Sequence, residues 1–214
     1  MPLQPFVYSF IEYEAGDTLG FVFALSALYP LFVLSALLTL LASRRDLHTA
    51  SLLAGQVLNE ALNHALKRAA RAARPAPSAH PAFDAQSPYG WPSDHAQFTA
   101  FFAVYALLWA PRHWGVGPVW RALACGLCAL AALVVGAGRV YLGYHTALQV
   151  ASGWGVGAAA AVAWFACVER ALRPRFAAVA GWQLARWAWV RDLTATRNVL
   201  KAEYECARTK GALF

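Results

Sequence analysis

The sequence predicts an all-α integral membrane bundle of about five transmembrane helices, and three observations carry that prediction. Residues of the AVILMFWYC set make up 59% of the 214-residue chain and charged residues only 14%. Soluble domains carry about 25% charged residues, and a chain this short keeps too much surface exposed to hide so much apolar area in one water-facing globule. Mean hydropathy is +0.43. The apolar residues also fall in runs of roughly 20, the length that crosses a bilayer.

The chain opens with an acidic segment, 1–19, holding Glu12, Glu14 and Asp17. It has no basic n-region, so no cleavable signal peptide is expected and the first span itself should be the targeting signal. That span runs from Gly20 to Ala42 and ends at Ser43-Arg44-Arg45-Asp46. A second, Thr49 to about Lys67, is less apolar. Its Gln56, Glu60, Asn63, His64 and Lys67 recur at helical spacing and share one face. Polar groups on a membrane helix face a bundle interior or aqueous cavity, or hydrogen-bond between helices; for Asn63 and His64 both readings stand.

Residues 68–94 read as a loop, with Pro75, Pro77, Pro81, Pro88 and Pro92 among other turn formers, and of a length usually tied to function or disorder. Three further spans follow: His95–Trp109, Val119–Leu142 and Thr146–Val168, linked by 111–118 and Gly143-Tyr144-His145. The tail, 169–214, carries Trp182, Leu184, Trp187 and Trp189 among Arg186 and Arg191, the pattern of a partly interfacial amphipathic segment. The expected organisation is therefore one domain, 1–214, whose bundle occupies 20–168.

The net charge of +7 does not point to nucleic acid, because excess Lys and Arg in a membrane protein marks cytoplasmic loops. Five spans place the termini on opposite sides. The side of Arg44, Arg45, Arg112, Arg121, Arg170, Arg173 and Arg175 is then cytoplasmic. Cys125 and Cys128 have C-x-x-C spacing inside an apolar run and lack a second pair; with Cys167 and Cys206 they read as small hydrophobes.

On the other face the topology gathers Lys67 at the end of the second helix, Arg74 in the loop, His95 opening the third, Arg139 near the end of the fourth, and His145 opening the fifth. Two helix N-termini arrive there too, with free N–H groups and a positive dipole end. Three cations, two histidines and two helix starts suit a phosphate. Pro92-Ser93-Asp94-His95 forms a cap-like start, whereas Arg121 alone reads as a snorkelling side chain.

These residues also carry a family resemblance. Lys67, six residues, then Arg74-Pro75 resembles the first motif of the type-2 phosphatidate phosphatase superfamily, membrane lipid phosphatases that share a helical core with vanadium haloperoxidases. Pro92-Ser93-Asp94-His95 is similar to its second motif, usually Pro-Ser-Gly-His. Arg139, five residues, then His145 is similar to the third, usually Ser-Arg-x5-His-x3-Asp. A longer match, through Glu12–Asp17, Leu58-Asn59-Glu60, Tyr89-Gly90, Gln97-Phe98, Arg139–Thr146, Val190–Asp192, Asn198–Leu200 and Glu203-Tyr204, resembles the dolichyldiphosphatase family.

Three departures stand out. Gly138 replaces the usual Ser and removes a hydroxyl donor. Asp94 replaces Gly or Ser, putting a carboxylate beside a phosphate site unless it caps the helix and points away. Gln149 holds the third motif's Asp position, as in dolichyldiphosphatases.

The resemblance implies that His145 is a nucleophile forming a phosphohistidine, and that His95 protonates the leaving group and then activates water. Lys67, Arg74 and Arg139 would neutralise the phosphoryl oxygens, and Ser93, Asp94 and the backbone N–H groups of 93–95 would line the phosphate site. Gln149 would offer its amide oxygen to the second nitrogen of His145, fixing the tautomer. Neither metal nor cofactor is expected, since no Mg²⁺-holding carboxylate cluster accompanies these residues. The resemblance implies hydrolysis of dolichyl diphosphate in the endoplasmic reticulum membrane, with a lumenal site. A broader lipid phosphate phosphatase, and a non-catalytic lipid-diphosphate binder or transporter, are the alternatives. Two retained histidines argue against the latter.

Overall fold

A computed structural model describes residues 3–6, 11–75 and 89–211 of the protein. A small antiparallel hairpin, β1 (Leu3–Phe6) and β2 (Ile11–Glu14), precedes the helices. Then come α1 (Thr18–Ser26), α2 (Tyr29–Arg44), α3 (Leu47–Ala70), α4 (Asp94–His113), α5 (Pro118–Tyr141) and α6 (Ala147–Cys167). The chain leaves α6 through a π-helical turn, Val168–Leu172, and a 3-10 turn, Arg173–Arg175. Three shorter helices follow: α7 (Phe176–Ala180), α8 (Gln183–Trp187) and α9 (Val199–Gly211).

The protein is a helical membrane bundle. Thr18–Arg44, Pro118–Tyr141 and Ala147–Ala180 are long and apolar enough to cross a membrane. Helices α3 and α4 run for 24 and 20 residues but bury a polar face.

The single first span expected over Gly20–Ala42 is in fact two helices, interrupted at Ala27-Leu28. Pro30 supplies the reason. It has no N–H, and its ring would strike the carbonyl four residues earlier, yet it fits the first turn of a new helix. The loop expected from residue 68 starts instead at Arg71, whose left-handed backbone (φ 49°) ends α3 while its N–H donates to the Lys67 carbonyl at 2.9 Å. Helix α4 passes the expected end at Trp109 and includes Pro111. Loop residues 76–88, with Pro77, Pro81 and Pro88, lie outside the described residues.

Helix α4 is the centre of the bundle, packing most extensively on α6 and then on α5. The α4–α6 approach depends on glycine. A Cβ at Gly153 would come within 2.6 Å of the Ser93 carbonyl oxygen, and one at Gly157 would strike the Gln97 carbonyl. Small residues four apart permit such backbone contact. Above them Phe101, Tyr105, Ala161 and Phe165 form an apolar cluster.

Between α3 and α4 the packing is polar. Asn63 Nδ2 donates to Gln97 Oε1 at 2.8 Å, Gln97 Nε2 donates to the Asn59 side chain and carbonyl at 2.9 and 2.8 Å, and Gln56 Nε2 donates to the Phe98 carbonyl at 3.3 Å. The buried stripe is therefore Gln56, Asn59, Asn63 and Lys67. Asn63 is interhelical; Glu60 and His64, 3.3 Å apart, sit at its exposed edge.

The tail, with its three short helices, folds back on the arginine-rich end. Arg191 N–H donates to the Arg45 carbonyl at 2.9 Å, Leu193 N–H to Asp46 Oδ1 at 3.2 Å, and Arg44 pairs with Glu203 at 3.1 Å. Trp182, Leu184, Trp187 and Trp189 remain largely exposed.

Candidate active site

Five elements converge at the end of the bundle opposite the docked tail. Lys67 comes from the last turn of α3, Asp94 and His95 from the first turn of α4, and Arg139 from the last turn of α5. The two loop flanks are tied together by an antiparallel bridge, Ala73 to Tyr89, with the Gly90 N–H donating to the Ala72 carbonyl at 2.8 Å. That bridge brings Arg74 and Gly90 beside the cluster. The link 142–146 places His145, whose N–H donates to the Arg139 carbonyl at 3.1 Å.

His145 is buried, and its two ring nitrogens have different surroundings. Nδ1 lies 2.9 Å from the Gly90 carbonyl oxygen and 3.3 Å from Gln149 Oε1, both acceptors. Nδ1 therefore carries the proton, and Nε2 keeps its lone pair. Nε2 is buried with no hydrogen-bond partner among the described residues. Burial, reinforced by the nearby Arg139 charge, pushes the imidazole down to about 3, so it stays neutral at any physiological pH. A neutral, oriented imidazole is what a nitrogen nucleophile requires.

The expected Gln149 contact is present but secondary. The carbonyl of Gly90 is the nearer acceptor, while Gln149 Oε1 also accepts the Thr146 N–H at 3.1 Å as half of a capping box on α6. Gln149 Nε2 donates to the Ala73 carbonyl at 2.9 Å, so this side chain fastens the loop to α6. A Cβ at Gly90 would fall 2.7 Å from that amide. Sequence reasoning gave Gly90 no role, because a backbone carbonyl leaves no trace in residue type.

The same end of the bundle holds other polar groups that have no hydrogen-bond partner among the described residues. Arg139 is buried, with Nε and Nη1 unpartnered among the described residues, and its guanidinium stacks over the Tyr144 ring at 4.1 Å. Tyr144 is held by the hairpin, its hydroxyl accepting the Glu12 N–H at 2.8 Å. This brace escaped sequence reasoning, although Tyr144 adjoins His145. Ser93 Oγ is likewise buried, with no partner among the described residues. Of the three backbone N–H groups of 93–95, two have partners within the protein: Ser93 N–H donates to the Gln149 carbonyl at 3.1 Å, and His95 N–H to Asp94 Oδ1 at 3.0 Å.

Asp94 does not point away. Its carboxylate turns into the cluster, with Oδ2 at 3.6 Å from Lys67 Nζ and Oδ1 at 3.3 Å from His95 Nδ1 and 3.8 Å from His145 Nε2. It still serves the helix start, since Oδ1 accepts the His95 N–H. Gly138, by contrast, faces α1. A Cβ there would sit 3.0 Å from Phe23, so a serine would press on that ring. Among the described residues no group of three or more His, Cys, Asp or Glu is placed to hold a metal ion.

Known proteins are similar to this chain over most of its length. A family profile described as the PAP2 superfamily matches residues 48–173. Dolichyldiphosphatase 1 of Homo sapiens is 37% identical over 97% of this chain and 89% of its own. The chain is a member of the PAP2 superfamily, in its dolichyldiphosphatase family. Lipid phosphate phosphatase gamma of Arabidopsis thaliana is 34% identical over 96% of the chain and 92% of its own length. The dolichyldiphosphatase of Saccharomyces cerevisiae is 34% identical over 72% and 66%. No solved structure matches. As a PAP2 phosphatase the protein is an enzyme.

Proposed function

We propose that the protein hydrolyses dolichyl diphosphate to dolichyl phosphate and inorganic phosphate, returning the lipid carrier to protein N-glycosylation. One observation carries the chemistry: the buried, proton-free Nε2 of His145 shares its site with donors of Arg139 and Ser93 that are unpartnered among the described residues, and feels the charges of Arg139 and Lys67. Nε2 attacks the terminal phosphorus. An N–P bond forms as the bridging P–O bond breaks, and His95 gives a proton to the departing dolichyl phosphate oxygen. His95 then takes a proton from water, whose oxygen attacks the same phosphorus; the N–P bond breaks and phosphate leaves. Lys67, Arg74 and Arg139 hold the non-bridging oxygens throughout.

Similarity to dolichyldiphosphatases over nearly the whole chain supports the substrate. The arginine asymmetry supports a five-span topology with the tail in the cytoplasm and the site in the lumen of the endoplasmic reticulum. A broader lipid phosphate phosphatase is the second reading, favoured by the likeness to the Arabidopsis enzyme of that name. Phosphate release by purified protein in detergent with chelator, comparing polyprenyl diphosphate, polyprenyl monophosphate and phosphatidate, separates them. Preference for the diphosphate is expected. Equal rates on phosphatidate would favour the broader enzyme.

A further inference from the structure

The second motif of this chain carries a carboxylate where glycine or serine is usual, and its position is specific. Asp94 sits in front of the buried groups rather than among them: its side chain is 29% exposed, that of Lys67 is 5% and that of His145 is 0%. One carboxylate oxygen faces Lys67 Nζ at 3.6 Å; the other faces His145 Nε2 at 3.8 Å. A phosphorus under attack by Nε2 must approach within about 3–3.5 Å, which puts a phosphoryl oxygen in the space that Asp94 Oδ1 holds. Two anions cannot share it.

We infer that Asp94 is a resident counter-anion of the phosphate cradle: it occupies a phosphoryl-oxygen position in the empty site and competes with phosphate for it. Lys67, Arg74 and Arg139 converge from α3, the loop and α5, and a buried cation needs compensation when no substrate is bound. Asp94 supplies one negative charge at the mouth. It lies in the first turn of α4, and leaving the cradle releases the Oδ1 contacts to the His95 N–H at 3.0 Å and Nδ1 at 3.3 Å. The competition weakens every anion the cradle takes. Its main effect falls on inorganic phosphate, the product that has nothing but the cradle to hold it. A lipid diphosphate retains further contacts through its chain. Asp94 thus shortens the stay of the product, while the further contacts of a lipid diphosphate keep it bound against the same penalty.

The inference rests on the reading of the site as a phosphoryl-transfer centre, and the test is chosen to separate the two. Full-length wild type, Asp94→Asn and Asp94→Ser are titrated with inorganic phosphate by calorimetry in detergent at pH 7, without turnover; orthovanadate is a second probe. Both variants should bind phosphate at least tenfold more tightly than wild type, and Asp94→Glu, which keeps the charge, should stay within about threefold of wild type. A misfolded variant loses affinity, so a gain is no folding artefact, and Asp94→Ala, which adds no hydrogen-bond donor, should show it too. Unchanged or weaker phosphate binding in both Asn and Ser variants would overturn the role of Asp94. If instead the substrate assignment is wrong, phosphate binding and its increase persist while polyprenyl diphosphate is not hydrolysed.

Discussion

At the residue scale, the proposed reaction divides the work between two histidines whose surroundings differ. His145 is buried and neutral, whereas His95 stands half open with Nδ1 against Asp94. Replacing His95 with Ala should lower kcat by about 10²–10⁴, the usual range for a positioned acid–base group. Its loss should matter less on an aryl phosphate whose leaving group needs no proton. Arg139→Gln removes a preorganised donor and should cost about 2.7–4 kcal/mol of barrier, read as kcat/KM. The depressed titration of His145 also has a stability consequence. Between its ordinary 6.5 and about 3 the unfolded chain binds a proton that the folded chain refuses, so stability falls as pH drops through that window and is insensitive to this group above it. His145→Gln cannot titrate; its melting temperature should decline less than that of wild type between pH 7 and pH 5. Parallel declines would show that the imidazole is not held neutral.

At the element scale, the site depends on how α4 is held. On one side is the amide ladder of Asn59, Asn63 and Gln97; on the other are the glycines of α6. Asn63→Ala leaves the Gln97 side-chain oxygen Oε1 without its donor and should cost about 1–3 kcal/mol of stability, measurable by thermal unfolding in detergent. Gly157→Val drives a side chain into the Gln97 backbone and should be worse, lowering activity and melting temperature together. Much of this was legible in the sequence. Apolar runs located the helices, because a span needs about 20 apolar residues, and the alternation of those spans put Lys67, Arg74, His95, Arg139 and His145 at one end of the bundle, where the structure also gathers them. The break at Ala27 was legible in Pro30 but masked by the apolar run around it. The hairpin brace on Tyr144 was not, since four-residue strands leave little pattern and their partner lies far along the chain. Nor was the direction of Asp94: residue type fixes its charge, while only the convergence of α3, α4 and the 142–146 link decides where that charge points.

At the scale of the whole molecule, the bundle sets chemistry at one end and a basic, aromatic tail at the other. The two ends of a membrane bundle face opposite sides of the membrane, and the proposed five-span topology puts the site end in the lumen. A glycosylation acceptor introduced within 76–88 should be modified in the endoplasmic reticulum, and one placed after Arg208 should not; the reverse pattern would overturn a lumenal site. The central claim is that His145 becomes phosphorylated on the way to products, and a rapid acid-sparing quench tests it most directly. Protein mixed briefly with polyprenyl diphosphate labelled in its terminal phosphate should carry acid-labile label in the His95→Ala variant, where breakdown of the phosphoenzyme is slow. The His145→Ala variant should carry none. Label persisting on His145→Ala would contradict the account.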